Sequence, residues 1–264
     1  DDAIGSGLYP THTLCLTGHE GSLKTSLALH MLENNVWRNK SVRALFCSLD
    51  MARATFTFRR VSRYIGVHET TVREMALASS PQYLKAKDEI TQRDDRRLSI
   101  VWAPLTLQGL IRQVERTLPT LLFIDYITCI QVPEESDPFK ALRKTVDTLR
   151  ELREQANMTI VFLSQMSRAS KLAAKSGQTG NHAYGGSIIE HLLDVEFEMV
   201  LDEPLENEND QKRLVVSIEK NRFGPQGSAF ELEYEGVAKR ITGRAWRLKK
   251  DTKKKAAFGG RQLF

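Results

Sequence analysis

Eight residues near the start of the chain have the types and spacing of a loop that binds phosphate. They join a predicted strand to a predicted helix and are Gly18, His19, Glu20, Gly21, Ser22, Leu23, Lys24 and Thr25. In such a loop backbone N–H groups hold phosphate oxygens, the lysine reaches the β- and γ-phosphates, and the hydroxyl binds Mg²⁺. Leu23 stands where the usual pattern has a second glycine, which predicts a strained or narrowed loop unless Gly21 supplies flexibility. The competing interpretation is an ordinary strand-to-helix turn with an incidental lysine.

Three further polar side chains follow other predicted strands. Asp125 ends a buried apolar run, where an aspartate can hold Mg²⁺ through water. Asp50 follows the second strand, and it is either a carboxylate that polarises a water attacking the γ-phosphate or the N-cap of the next helix. Gln165 follows a later strand, as either a sensor of the γ-phosphate or an ordinary polar strand end.

Short apolar runs alternate with amphipathic stretches, which predicts an α/β fold with a mainly parallel, twisted sheet flanked by helices. The predicted strands are Thr13–Thr17, Ala44–Leu49, Leu98–Trp102, Leu121–Ile124 and Thr159–Leu163. The predicted helices are Thr25–Val36, Ala52–Tyr64, Leu107–Leu118 and Phe139–Gln155. After a long polar segment, Ser164–Gly186, three more strands are predicted as antiparallel additions, near Val195–Leu201, Leu214–Glu219 and Ala229–Tyr234.

The basic residues are unevenly distributed. The net charge is +5, but the residues from Lys239 onward carry +9, which leaves the preceding part at −4. Charge is therefore no argument that the main part of the chain binds nucleic acid. We expect one domain over residues 1–248 and a flexible basic tail over 249–264. Three cysteines, Cys15, Cys47 and Cys129, lie in or beside apolar runs and are predicted to be buried free thiols in a reducing compartment.

The order of these motifs resembles the motor domain of DnaB-type replicative helicases. The similarity covers nearly the whole chain, from Gly5 to about Tyr234. The matching segments are Ser48-Leu49-Asp50-Met51 (S-L-E-M in the family), Ile124-Asp125-Tyr126 (I-D-Y), Leu163-Ser164-Gln165-Met166-Ser167-Arg168 (L-S-Q-L-N-R), Gly186-Ser187-Ile188 (G-S-I), Asp194-Val195 (D-V) and Lys220-Asn221-Arg222-Phe223-Gly224-Pro225-Gln226-Gly227 (K-x-R-x-G-P-T-G).

The resemblance implies a RecA-like P-loop NTPase core that uses ATP and Mg²⁺. In this family the acid at Asp50 is the catalytic base, and the cations at Lys220 and Arg222 reach the neighbouring subunit's nucleotide. Gln165 would couple the nucleotide state to a loop that faces DNA in the central channel. Candidate DNA-binding residues on that loop are Arg168, Lys171, Lys175, Tyr184 and Gly186.

The implied partners are single-stranded DNA, further copies of the chain in a homo-oligomeric ring (a hexamer), and other replication proteins. The implied location is the cytoplasm, with the nucleoid and away from membranes. The chain begins almost at the motor domain of this family, so we expect either a fragment of a longer helicase or a motor that stands alone. The last three residues, Gln262-Leu263-Phe264, either resemble peptides that dock on sliding clamps or form an unstructured end.

Three departures from the family pattern bear on activity. Leu23 replaces glycine, and Asp50 replaces glutamate, which draws the carboxylate back by about 1.5 Å, a displacement able to cost about a hundredfold in rate. Ala183-Tyr184 replaces a basic and acidic pair before Gly186. These departures keep open an alternative, a nucleotide-binding switch or loading factor with weak hydrolysis in replication or in a mobile-element machine. A recombinase-like filament former is a third hypothesis.

Overall fold

The computed structural model describes residues 7–165, 186–201, 211–224, 226–243 and 246–248. Its helices are α1 (Lys24–Arg38), α2 (Arg53–Ile65), α3 (Glu69–Leu77), α4 (Pro81–Asp94), α5 (Leu107–Thr117), α6 (Pro138–Ala156) and α7 (Gly186–Glu190), with a 3₁₀ turn at Ile127–Cys129. Its strands are β1 (Thr13–Gly18), β2 (Ala44–Ser48), β3 (Leu98–Trp102), β4 (Leu121–Asp125), β5 (Thr159–Gln165), β6 (Val195–Leu201), β7 (Gln211–Asn221), β8 (Ala229–Glu235), β9 (Arg240–Ile241) and β10 (Trp246–Leu248).

The described strands form one sheet in the order β10-β8-β7-β6-β1-β5-β4-β2-β3, with β9 paired to β8. The six strands from β6 to β3 are parallel, whereas β7, β8 and β10 are antiparallel to their neighbours. The prediction that all three late strands are antiparallel additions was therefore wrong for β6. β6 runs parallel to β1 and β5, so it starts at the end of the sheet where those strands start. The connection from β5 to β6 therefore has to cross from one end of the sheet to the other.

Both faces of the sheet are covered, as the continuous apolar runs predict. Alternate strand residues point to opposite faces. One face packs on α5, α6 and α7 through strand residues that include Cys15, Leu45, Leu122, Ile124, Ile160 and Phe162. The other packs on α1 and α2 through residues that include Leu14, Leu16, Phe46, Phe123, Val161 and Leu163. The predicted apolar stripe of α6 is buried at all four positions, Leu142, Val146, Leu149 and Leu152.

Two helices, α3 and α4, have no counterpart in the sequence-based prediction. They pack with α2 around a small separate core formed by Val61, Val72, Ala86 and Ile90. A start signal for α4 is present in the sequence. The Ser80 hydroxyl accepts a hydrogen bond from the Tyr83 N–H, and Pro81 occupies the first helical turn.

A buried charge cluster ties α1 to this helical group. Glu33 accepts hydrogen bonds from Arg60 Nε and Arg63 Nε, both at 3.1 Å, and Arg60 also pairs with Asp94 at 2.8 Å. Both arginine side chains and Glu33 are at most 7% exposed. Removing Glu33 would leave two buried cations short of a partner.

The cysteine prediction is confirmed for Cys15 and Cys47, which are buried and free, while Cys129 is only partly buried. None of the helices in the described part of the chain is both long and apolar enough to cross a membrane. The basic tail predicted over 249–264, including Gln262, Leu263 and Phe264, lies outside the described residues.

Candidate nucleotide-binding site

The loop between β1 and α1 has the backbone geometry of a tight turn. A side chain at Gly18 would meet Met199 O at 2.6 Å, so only glycine fits there. Gly21 has φ +79°, and Leu23 has φ +67° and ψ +21°, in the left-handed region. Glycine adopts that region freely, whereas a residue with a side chain pays about 1–2 kcal/mol. The strain expected from Leu23 is thus present in the backbone, at the residue where glycine was missing.

Lys24 is the first residue of α1, and it turns back into this loop. Its Nζ donates hydrogen bonds to the carbonyl oxygens of Gly18 (2.9 Å) and His19 (2.7 Å) and to Ser22 Oγ (3.3 Å). The residue is 3% exposed, and burial lowers the pKa of its ammonium group, against the opposing effect of nearby acids. The ammonium group therefore lies inside the loop, where phosphate oxygens would compete with carbonyl and hydroxyl oxygens for it.

Asp125 and Thr25 form a second feature, directly beside the loop. The Thr25 hydroxyl donates a hydrogen bond to Asp125 Oδ2 at 2.9 Å. The other carboxylate oxygen, Oδ1, is buried without a hydrogen-bond partner in the described part of the chain. Burial raises the pKa of Asp125 to about 6, with a smaller contribution from the charge of Asp50. A hydroxyl and an unsatisfied carboxylate oxygen fit Mg²⁺, which takes one or two protein oxygens together with phosphate oxygens.

Asp50 is exposed at the same edge of the sheet. Its backbone N–H donates to the carbonyl oxygen of Asp125 at 3.2 Å, which fixes its backbone beside the Thr25–Asp125 pair. The interpretation of Asp50 as a helix N-cap is wrong. The N-cap of α2 is Ala52, and no side chain caps that helix.

Gln165 is the last residue of β5 and is paired in register with Gly18, the first residue of the loop. Ser48 and Asp125 are likewise paired at the ends of β2 and β4. Parallel pairing thus brings the loop, Asp125, Asp50 and Gln165 to one edge of the sheet. Of the candidate DNA-binding residues, Gly186 begins α7, whereas Arg168, Lys171, Lys175 and Tyr184 lie outside the described residues.

Lys220 and Arg222 lie at the opposite edge. The pairing of β7 with β6 sets Asn221 opposite Val195, and β6 in turn sets Val195 beside Leu14, near the start of β1. The loop begins at Gly18, four residues further along β1, which is about 13 Å at roughly 3.3 Å per residue. Lys220 Nζ donates to the Glu190 carbonyl oxygen at 3.0 Å, and burial, followed by the charge of Arg222, lowers the pKa of Lys220.

Tyr126 is a site residue to which sequence reasoning gave no role. Its half-buried ring lies 6.0 Å from Lys24 Nζ, measured to the ring centroid, and burial beside Asp125 raises its pKa to about 12. The Ile124-Asp125-Tyr126 match contains this residue, so its position in that motif was the available signal.

Residues 2–242 match the family model described as the DnaB-like helicase C terminal domain. No curated protein sequence matches the chain. Among solved structures the chain is similar to one described as an ATPase domain, with TM-score 0.75, 16% identity, and coverage of 92% of this chain and 88% of that one.

It is also similar to a DnaB-like replicative helicase, described with its interactions with primase (TM-score 0.71, 15% identity, 89% of this chain and 57% of that one). A KaiC-like protein, PH0186 from the hyperthermophilic archaeon Pyrococcus horikoshii OT3, matches with TM-score 0.58 and 17% identity over 93% of this chain and 94% of that one. At these identities the structural matches show the fold alone. They confirm the predicted RecA-like α/β class, with a mostly parallel sheet and antiparallel strands at the carboxyl-terminal end.

Proposed function

The chain belongs to the DnaB-like helicase C-terminal domain family, and from that membership we propose that it is a motor that hydrolyses ATP between the subunits of a ring and moves along single-stranded DNA. One observation carries the proposal, which is the separation of two sets of residues within one chain. The loop from Gly18 to Thr25 lies at one edge of the sheet, and Lys220 and Arg222 lie at the other. A subunit built in this way needs a second copy to bring its cations to a nucleotide, as head-to-tail contacts in a ring do.

In this account ATP binds at the loop. Backbone N–H groups at the start of α1 and the helix dipole attract the phosphates, and Lys24 exchanges its contacts with Gly18, His19 and Ser22 for phosphate oxygens. Thr25 and the unsatisfied oxygen of Asp125 would hold Mg²⁺, which supplies charge neutralisation for the phosphates.

Asp50 would orient the attacking water. Its carboxylate is exposed and its charge acts on both Asp125 and Lys24, so it lies within electrostatic reach of the phosphate side of the site. A carboxylate in this position accepts the hydrogen bond that aligns water with the γ-phosphate. Because aspartate is about 1.5 Å shorter than glutamate, we expect slow turnover compared with a glutamate at the same position.

Lys220 and Arg222 of one subunit would stabilise the transition-state charge at the site of the next. A cation supplied across an interface contributes about 10³–10⁵ in rate in other P-loop NTPases. Gln165 would couple the state of the nucleotide to DNA, because it lies beside Gly18 and directly precedes the segment that contains the candidate DNA-binding residues. By analogy with the matched helicase that interacts with primase, we include other replication proteins among the proposed partners.

A second candidate function is a nucleotide-binding switch with little hydrolysis. Two observations favour it, the strained backbone of Leu23 and the three hydrogen bonds that already satisfy Lys24 within the loop. The three hydrogen bonds must break before Lys24 can bind phosphate, and Leu23 places a side chain where glycine would allow a close backbone approach, so both disfavour a fast hydrolytic cycle. A switch would bind ATP tightly and would turn over slowly whether or not DNA is present.

Steady-state ATP hydrolysis with Mg²⁺, with and without single-stranded DNA, separates the two candidates. A motor shows hydrolysis that DNA stimulates and that Lys24→Ala and Asp50→Ala both abolish. Lys40→Ala, an exposed position just beyond the end of α1, is the matched lysine control and keeps wild-type hydrolysis. Tight ATP binding with negligible turnover at every DNA concentration would rule out the motor and support the switch.

A further inference from the structure

Asp194 lies just before β6 and is a hub of hydrogen bonds at the edge of the sheet away from the phosphate loop. It is 5% exposed. Its Oδ2 accepts from the Thr13 N–H at 2.8 Å and from Arg153 Nη1 at 2.9 Å, while its Oδ1 accepts from Arg222 Nη1 at 3.1 Å. Its backbone carbonyl oxygen also accepts from the Arg222 N–H at 3.0 Å. Both the backbone and the side chain of Arg222 are thus held by one residue.

The two arginines on Asp194 differ in their surroundings. Arg153 is 11% exposed and is held from several sides, because the same Nη1 also donates to Thr13 Oγ1 at 2.8 Å. The side chain of Arg222 is 51% exposed. Asp194 therefore joins a mostly buried guanidinium group, that of Arg153, to the more exposed one of Arg222, which its Oδ1 contacts.

The residue after Arg222 is held as well. The Phe223 ring stacks on His12 with centroids 3.7 Å apart and planes 8° apart. The Phe223 N–H donates to Asn221 Oδ1 at 3.0 Å. Both chain neighbours of Arg222 are thus held in place. What remains variable is the direction of the guanidinium group, and the bond to Asp194 restricts it.

We propose that Asp194 is a positioning residue that orients Arg222 toward the nucleotide of the neighbouring subunit. This inference rests on the proposed function, in which Arg222 acts across a subunit interface. A flexible arginine must otherwise lose rotamer freedom each time it engages phosphate, and the bond to Asp194 removes part of that freedom beforehand. The carboxylate is bonded to Thr13, Arg153 and Arg222, so its effect on hydrolysis would pass through Arg222.

A double-mutant cycle tests the inference, and Asp194→Asn is the primary substitution. The amide keeps the size of the side chain and one acceptor oxygen for the Thr13 N–H. It lacks the second acceptor oxygen, to which Arg222 donates. We expect kcat for ATP to fall about ten- to hundredfold, the cost of a small misplacement, with KM changed by less than about threefold.

The same substitution is then made in an Arg222→Gln background, where there is no guanidinium group to orient. In that background we expect hydrolysis at about 10⁻⁴ s⁻¹, as in P-loop NTPases that lack an arginine supplied across the interface. Single-turnover assays over hours still measure a rate of this size. We expect Asp194→Asn to change this residual rate by less than about twofold. An equal loss in both backgrounds would show that Asp194 supports only the fold, and it would overturn the inference.

Asp194→Glu covers the case in which Asp194→Asn does not fold. It keeps the charge for Arg153 and both acceptor oxygens, but it moves them by about 1.5 Å, so the same loss of kcat is expected only when Arg222 is present. A folded Asp194→Glu protein with unchanged kcat would overturn the inference while leaving the proposed function intact. Absence of turnover in the unsubstituted chain would overturn both.

Discussion

The left-handed backbone at Leu23 predicts that the chain is more stable with glycine than with alanine at this position. Both Leu23→Gly and Leu23→Ala remove the side chain, which packs half-buried against the core, so the loss of these contacts nearly cancels between them. Only glycine relieves the strain of φ +67°, which stabilises the folded chain by about 1–2 kcal/mol. The greater freedom of glycine in the unfolded chain offsets about 0.5–1 kcal/mol of this gain. The glycine variant should therefore be more stable than the alanine variant by about 1 kcal/mol.

Thermal or urea unfolding of the two variants measures this difference. For a domain of this size about 1 kcal/mol corresponds to roughly 2–4 °C in Tm. Leu84 is the control, because it is 47% exposed in the interior of α4. There the order reverses, and Leu84→Gly is less stable than Leu84→Ala by about 1 kcal/mol. If glycine were also the less stable residue at position 23, the strained loop would be refuted.

Three further predictions concern buried and catalytic charges. Burial raises the pKa of Asp125 to about 6, so between about pH 4 and pH 6 the folded chain keeps a proton that the unfolded chain releases, and stability falls by about 2–3 kcal/mol as pH rises through that window. Asp125→Asn should remove that fall in nucleotide-free unfolding curves and abolish Mg²⁺-dependent nucleotide binding; an unchanged pH slope would contradict the burial argument. Glu33→Ala should cost about 3–5 kcal/mol because it leaves two buried arginines short of a partner, whereas Glu134→Ala, which breaks an exposed ion pair, should leave Tm unchanged; equal Tm values would contradict this. Asp50→Glu should raise kcat by up to about a hundredfold by restoring the longer carboxylate, and a fall in kcat would show that the site is built around aspartate.

The parallel part of the fold could be predicted because its strands are continuous apolar runs. The strand at Leu98–Trp102 matches the prediction at both ends, and the other four differ by one or two residues. The same strand ends placed Asp125, Asp50 and Gln165 at one edge, since parallel strands bring their carboxyl ends together. These residues needed only the order of strands and loops to be located.

Other features depend on contacts that no local pattern encodes. The α3–α4 pair is polar along much of its surface and buries only a few residues, so its periodicity is weak, although Ser80 and Pro81 marked a helix start. The direction of β6 depends on where the chain returns after β5. The hub at Asp194 joins residues 181, 41 and 28 positions away, which lie on β1, on α6 and directly after β7. Such long-range pairings appear only once the sheet is assembled.

The most direct test of a site shared between two copies is a mixture of two inactive variants. Lys24→Ala loses the loop lysine, and Arg222→Ala loses the cation for the neighbour. Each alone should lack DNA-stimulated hydrolysis, but random co-assembly in equal amounts gives about a quarter of interfaces with an intact loop and an intact arginine. We predict that the mixture regains hydrolysis in proportion to those interfaces. A mixture that stays inactive, although differently tagged subunits are recovered together, would contradict a nucleotide site shared between subunits.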